Sequence, residues 1–367
     1  MKQKALWCGF IYLILSAATL AQASNAHGGE IERFYRGVRS LGMGGVYVNT
    51  VNDETAILTN PAGLGKLRDT TWTLVDPELH GAFTNTDIVN YTNIFDAVSA
   101  QGLLDRLNQA RGKNWHARLQ MFPSVVTTNF GIGLLAKYDY NARVDENGTN
   151  YRLDYVNDWA LALAYNFRFL SGVLKVGVTG RIVNRSEVHA DLDPNSTGLE
   201  MRSLEAEGLG VAGDVGAILT APVAGLPSLG VTVRDVGTTS YNLRPGLFNV
   251  TTARPRDTLQ SVDVGLSVQP IMANRMRTTF AIEYHGVTTP LDPDHEDFLK
   301  RTHVGMELNA ADFFFLRAGA NQGYWTAGAE FATERFQLQL ASYGEELGSP
   351  TARIEDRRWV AKFSLRF

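Results

Sequence analysis

Past residue 115 the chain alternates, position by position, between large apolar side chains and small or polar ones. Phe130, Ile132, Leu134, Ala136, Tyr138 and Tyr140 fall on one face of such a segment, with Gly131, Gly133, Leu135, Lys137 and Asp139 on the other. Between 155 and 169 the pattern runs longer. Tyr155, Trp159, Leu161, Leu163, Tyr165, Phe167 and Phe169 oppose Asp158, Ala160, Ala162, Ala164, Asn166 and Arg168. Successive side chains of a strand point to opposite faces, so period two marks β-strands held between two different surroundings.

About fourteen segments read this way, from 70–84 to 355–367. Several exceed the ~5–6 residues usual in globular sheets and suit the ~9–11 of a tilted membrane strand. Pro77 interrupts the first, which calls for a bulge or an edge there. The links discriminate best. Short ones at 128–129, 170–171, 220–227, 270–275, 310–312 and 334 alternate with long polar ones at 143–152, 188–203, 237–256, 287–299 and 345–354. Only 321–322 breaks the rule, being short where a long link is expected. Outer-membrane barrels have short periplasmic turns, long external loops and an even strand count. The expected fold is therefore all-β: a transmembrane antiparallel β-barrel of about fourteen strands over 70–367.

The faces agree. One is apolar and aromatic, as lipid requires; the other carries Gly, Ala and scattered charges such as Lys137, Asp139, Arg168, Asp214, Arg317 and Glu330. Isolated in a dry core each such charge would cost several kcal/mol, whereas a polar lumen lets it hydrate or pair. Lys175 and Arg181 lie beside Gly177 and Thr179 on the same luminal face. A composition of 44% hydrophobic residues with net charge −4 then follows, since only alternate positions need be apolar. That charge gives no electrostatic case for a nucleic-acid partner.

Residues 1–23 read as a secretory signal: Lys2 and Lys4, an uncharged apolar run from Ala5 to Leu15, then Ala21-Gln22-Ala23 as a cleavage site. Cleavage there removes Cys8, the single cysteine, and with it any disulfide, thiolate metal site or thiol nucleophile. Residues 24–69 alternate poorly. They hold Arg39-Ser40-Leu41-Gly42-Met43-Gly44-Gly45, then Asn52-Asp53-Glu54, then Asn60-Pro61-Ala62-Gly63-Leu64, turn-forming sequences with glycines for close backbone approach. The expectation is a compact irregular hatch inside the lumen, where its backbone groups find partners or water.

The run from Arg39 to Leu64, above all Asn60-Pro61-Ala62-Gly63-Leu64, resembles the FadL superfamily of outer-membrane proteins, and within it most closely the PorV and TraF-like branch. His303-Val304-Gly305-Met306-Glu307, Leu316 to Gly323 and Glu345-Glu346-Leu347-Gly348 are similar to that branch's C-terminal strands. Trp359, Phe363, Leu365 and the terminal Phe367 resemble the signal by which assembly machinery recognises outer-membrane barrels. The resemblance implies a fourteen-stranded barrel in the cell outer membrane, plugged by a hatch comprising Gly42, Gly44, Gly45, Asn60, Pro61, Ala62 and Gly63. It implies, for the FadL branch, passive uptake of hydrophobic small molecules such as long-chain fatty acids. For the PorV branch it implies a scaffold that binds secreted proteins. Outer-membrane lipid and lipopolysaccharide would surround the barrel in either case.

Other signals are weaker. Residues 93–111 have helical spacing, and Leu103, Leu104 and Leu107 on the apolar face suit either a ligand-capture groove or a lid packed on neighbouring loops. Gly208-x-Gly210-x-x-Gly213 lies within an alternating strand and lacks the helix that a dinucleotide site needs, so no cofactor is expected. The acidic stretch Asp292 to Asp297 fits no defined calcium loop and reads as solvated. His116, His285 and His303 have no partners at diagnostic spacing, so neither a metal site nor an enzyme is expected.

Overall fold

A computed structural model describes residues 31–85, 99–273, 276–288 and 297–367. The signal-peptide reading, the start of the 93–111 helix and nearly all of the acidic stretch lie outside these residues. The described chain closes into one antiparallel barrel of fourteen strands.

In chain order these are β1 (Thr71–Val75 and Glu78–Ala82), β2 (Asn114–Met121 and Ser124–Val126), β3 (Phe130–Val144), β4 (Tyr151–Phe169) and β5 (Leu174–Leu192). There follow β6 (Ala206–Thr220), β7 (Ser228–Arg234), β8 (Ser261–Val268), β9 (Met276–Tyr284) and β10 (Thr302–Ala310). The last are β11 (Phe314–Asn321), β12 (Tyr324–Ala332), β13 (Phe336–Glu346) and β14 (Glu355–Arg366). Each pairs with its sequence neighbours, and β14 pairs with β1 to close the sheet. Phe367 and Trp72 exchange both backbone hydrogen bonds at 2.8 and 2.9 Å, so the ladder runs to the last residue. Among the described residues closure joins the first and last strands, so neither presents the open edge that a strand in hydrocarbon could not tolerate.

Alternation sorts the wall. Leu161, Leu163, Tyr165 and Phe167 of β4 face outward and are exposed, while Asp158, Ala160, Ala162 and Ala164 face inward and are buried. The irregular points have local causes. Pro77 splits β1, and β2 breaks opposite it at Phe122–Pro123, where the Asp76 carboxylate accepts the Phe122 N–H at 2.6 Å. The short 321–322 link is a two-residue hairpin with positive φ at Gln322 (54°) and Gly323 (89°), as a tight primed turn requires. β4 and β5 each run 19 residues, beyond what a bilayer crossing needs, so they extend past the rim at the long-loop end.

Candidate functional site

The lumen is the candidate site, and residues 31–66 occupy it. This segment holds α1 (Val38–Gly42) and two 3₁₀ turns, Glu54–Ile57 and Pro61–Lys66. Its turns follow from sequence. Gly44 and Gly45 take φ of +70° and +88°, a region costly for side-chain-bearing residues. Asn60 caps the second 3₁₀ turn, accepting from the Ala62 N–H at 3.1 Å and donating to the Val48 carbonyl at 2.7 Å, with Pro61 at the first position.

Backbone meets backbone where segment and wall touch. A methyl group on Gly305 of β10 would stand 2.2 Å from the Met43 carbonyl oxygen, and one on Gly177 of β5 would stand 2.3 Å from Pro61. On Gly216 of β6 or Gly230 of β7 it would collide with the side chains of Asn60 or Asn49. The wall glycines are thus sockets for the segment. Between them Ile57 and Leu64 pack with Leu135, Ala160 and Ala162 into an apolar cluster.

Charge fixes the rest. Arg33, Arg36 and Arg39 recur every third residue and reach carboxylates on three different strands. Arg33 lies 3.4 Å from Asp263 of β8, Arg36 lies 2.8 Å from Glu345 of β13, and Arg39 forks onto Glu307 of β10 at 2.8 and 2.9 Å. Glu307 also accepts from Arg317 at 2.7 Å, and Arg317 pairs onward with Glu330. Lower down, Glu54 receives two 2.9 Å bonds from Arg366, with Lys362 at 3.4 Å. Burial alone would raise the Glu54 carboxyl, but Arg366 and Lys362 outweigh it and hold it down at about 2. Glu54 belongs to the luminal segment and not to a spanning strand. Backbone groups join in: Glu283 accepts the Tyr47 N–H at 2.9 Å, and Thr326 accepts from Gly44 while donating to the Gly42 carbonyl. A cavity bordered by Tyr35, Arg39, Tyr47 and Glu54 holds about 30 Å³, room for about one water.

The residues singled out in the sequence fall in different places. Gly42, Gly44, Gly45, Asn60, Pro61, Ala62 and Gly63 all lie buried in the luminal segment. Trp359, Phe363 and Leu365 share the outward face of β14, and Phe367 is exposed at its end. Leu103, Leu104 and Leu107 are packed in the manner of the lid, the second of the two readings. They lie on α2 (Ala100–Gln109), fully buried against Val144, Tyr151, Leu153 and Val188 on the extensions of β3 to β5. Those extensions are long enough to cover the helix's whole apolar stripe.

His285 and His303 stack at 3.9 Å, with His285 bonded to Glu283 and His303 to the Gly44 carbonyl, so both brace the segment. Among the described residues no group of three or more His, Cys, Asp or Glu side chains is arranged to hold a metal ion. Gly208 and Gly210 lie inside β6, where a methyl group would meet the Tyr241 and Ser240 carbonyls at 2.2 and 2.5 Å. They make room for a loop. The arginine triplet went unread in the sequence, although its three-residue spacing in an otherwise apolar stretch was visible.

No protein-family model and no curated protein sequence matches the chain. Among solved structures it is similar to CymD, a monoaromatic hydrocarbon channel, with a TM-score of 0.52 at 11% identity over 90% of this chain and 97% of that one. The toluene transporter TbuX of Ralstonia pickettii matches with a TM-score of 0.50 at 14% identity, over 90% and 98%. The toluene transporter TodX of Pseudomonas putida matches at 0.51 and 12%, over 92% and 98%. At such identities the likeness is one of fold.

Proposed function

We propose that the chain is an outer-membrane channel of the FadL kind, passing hydrophobic small molecules such as long-chain fatty acids without an energy-coupled step. The observation that carries this reading is the end-to-end likeness of its barrel to three channels named for hydrocarbons or toluene. The apolar outer wall is built for a bilayer and the long-loop end, by barrel convention, faces outward. Residues 31–66 act as the hatch, and cargo passes when the ionic contacts at Arg33, Arg36 and Arg39 loosen. A carboxylate on the cargo is able to take the place of Glu307 or Glu345 on these arginines, which suits amphiphilic acids better than bare hydrocarbons.

Uptake of radiolabelled palmitate and of toluene by a deletion strain, with and without the restored gene, tests the reading. Reduced uptake restored by the gene supports a channel, and a larger defect for palmitate supports the acid. Wild-type uptake of both, accompanied by loss of surface protein export, overturns it in favour of a scaffold.

A further inference from the structure

The link between β7 and β8 crosses the barrel wall twice. β7 stops at Arg234 and its ladder with β6 reaches only Val215↔Val233, so the upper edge of β6 is left for this link to cover. On the inside, Tyr241 is buried with its ring 5.0 Å from the inward Arg185 guanidinium. Arg244 and Pro245 then pair with Leu209 and Gly208 at the β6 edge, and the chain passes to the outer surface. There the Leu247 N–H donates to Asn184, and the Phe248 and Asn249 N–H groups donate to Glu207 at 3.0 and 2.6 Å. Asn184 shares the outward parity of the exposed Ile182, and Glu207 that of the exposed Val211. Phe248 packs on Trp159, centroids 6.0 Å apart. The chain returns inside, where the Arg256 N–H meets Glu187 at 2.7 Å.

Residues 243–250 thus form a flap on the outside of the wall. Its tip is apolar: Leu243, Leu247, Phe248 and Val250 are 62%, 66%, 64% and 87% exposed. Trp159 stands ten residues above Phe169 on β4, which at ~3.3 Å per residue and a tilt of ~40° is about 25 Å, the height of a barrel's apolar band. The flap therefore sits where acyl chains give way to headgroups. Two cations flank it: exposed Arg244, and Arg202, whose guanidinium holds the Asn249 side chain at 3.0 and 3.1 Å. The nearby carboxylates are occupied beneath it, Glu207 by the two flap N–H groups and Glu205 by Asn249.

We infer that the flap docks an anionic, multiply acylated lipid of the outer leaflet, acyl chains on its apolar tip and lipid phosphate on Arg202 and Arg244. This rests on the outer-membrane placement proposed above. The test uses the full chain reconstituted in vesicles of phosphatidylcholine alone, with phosphatidylglycerol, or with lipid A, and reads the midpoint of heat-induced mobility change on gels. Lipid A should raise the midpoint above both phospholipid mixtures, and Arg202→Gln with Arg244→Gln, or Phe248→Ser with Val250→Ser, should lose at least half of that rise. Equal midpoints in the three mixtures, or variants that keep the full rise, overturn the inference. A solvent-sensitive dye on Val250→Cys in a Cys8→Ser background gives a second reading that leaves the wall intact. Its emission should shift blue in lipid A vesicles beyond phosphatidylglycerol, and an equal shift in both overturns specificity. A barrel that transports but ignores lipid A sinks this inference alone; one that responds to lipid A without transporting sinks the channel reading instead.

Discussion

Gly44 shows how much one position decides. It combines a φ of +70° with a wall so close that a methyl group would lie 2.1 Å from the Val304 carbonyl oxygen. Gly44→Ala should cost about 1–2 kcal/mol for the left-handed backbone, with the displacement of segment from wall added. Limited proteolysis should then cut the N-terminal segment while the barrel keeps its heat-modifiable mobility. Gly198, with φ +71° and nothing within 4 Å, is the control: Gly198→Ala carries the backbone cost without the collision. Glu307→Gln removes the charge shared by Arg39 and Arg317, and breaking a buried pair in this way typically costs about 3–5 kcal/mol. Planar-bilayer recordings should show more frequent opening events than wild type. Glu54 adds a pH dependence. Its folded carboxyl sits at about 2, below the unfolded value of 4.5, so its stabilisation is complete above 4.5 and is lost as pH falls toward 2. Proteolytic access to the segment, assayed with an acid-active protease, should rise across that window and stay flat through it in Glu54→Gln.

At the scale of elements, α2 packs its apolar face onto the strand extensions. Leu104→Asp would force a carboxylate into a fully buried apolar cluster and should release the helix at a cost of several kcal/mol. Hydrogen exchange in 99–113 should speed up while the strands stay protected; unchanged exchange would contradict the packing. The strands were the legible part of the sequence, because each wall position sees lipid or lumen and the pattern records which. Pro77 announced its own break; Pro123 carried the same signal within the second strand, and Asp76 across the ladder holds that break by accepting the Phe122 N–H. The burial of Leu103, Leu104 and Leu107 was equally hidden. An apolar helical stripe says that something covers it, and only the length of β4 and β5 says what. The flap at 243–250 escaped notice because long loops obey no period, and the glycines that admit it read simply as strand glycines.

For the whole molecule, the polar interior combines ion pairs between neighbouring wall strands, such as Lys137–Asp158 and Arg181–Asp214, with pairs that tie the luminal segment to strands far away in sequence. Deleting 31–66 should leave the wall carboxylates Asp263, Glu307 and Glu345 without Arg33, Arg39 and Arg36, and water should take their place. The expected outcome is a folded, heat-modifiable barrel that conducts ions continuously and favours cations; a barrel still closed to ions would show that other parts seal it. The luminal segment also has a geometry of attachment. It leaves the lumen at the short-turn end, where Arg168 reaches the Leu67 carbonyl at 3.3 Å, and β1 begins at Thr71. Among the described residues, 67–70 are the covalent tether of the segment to the first strand, and four extended residues span at most about 14 Å. So short a tether forbids ejection toward the loop end. Any opening would therefore have to start at the Arg33 end, like a zipper whose lower stop is sewn into the first strand.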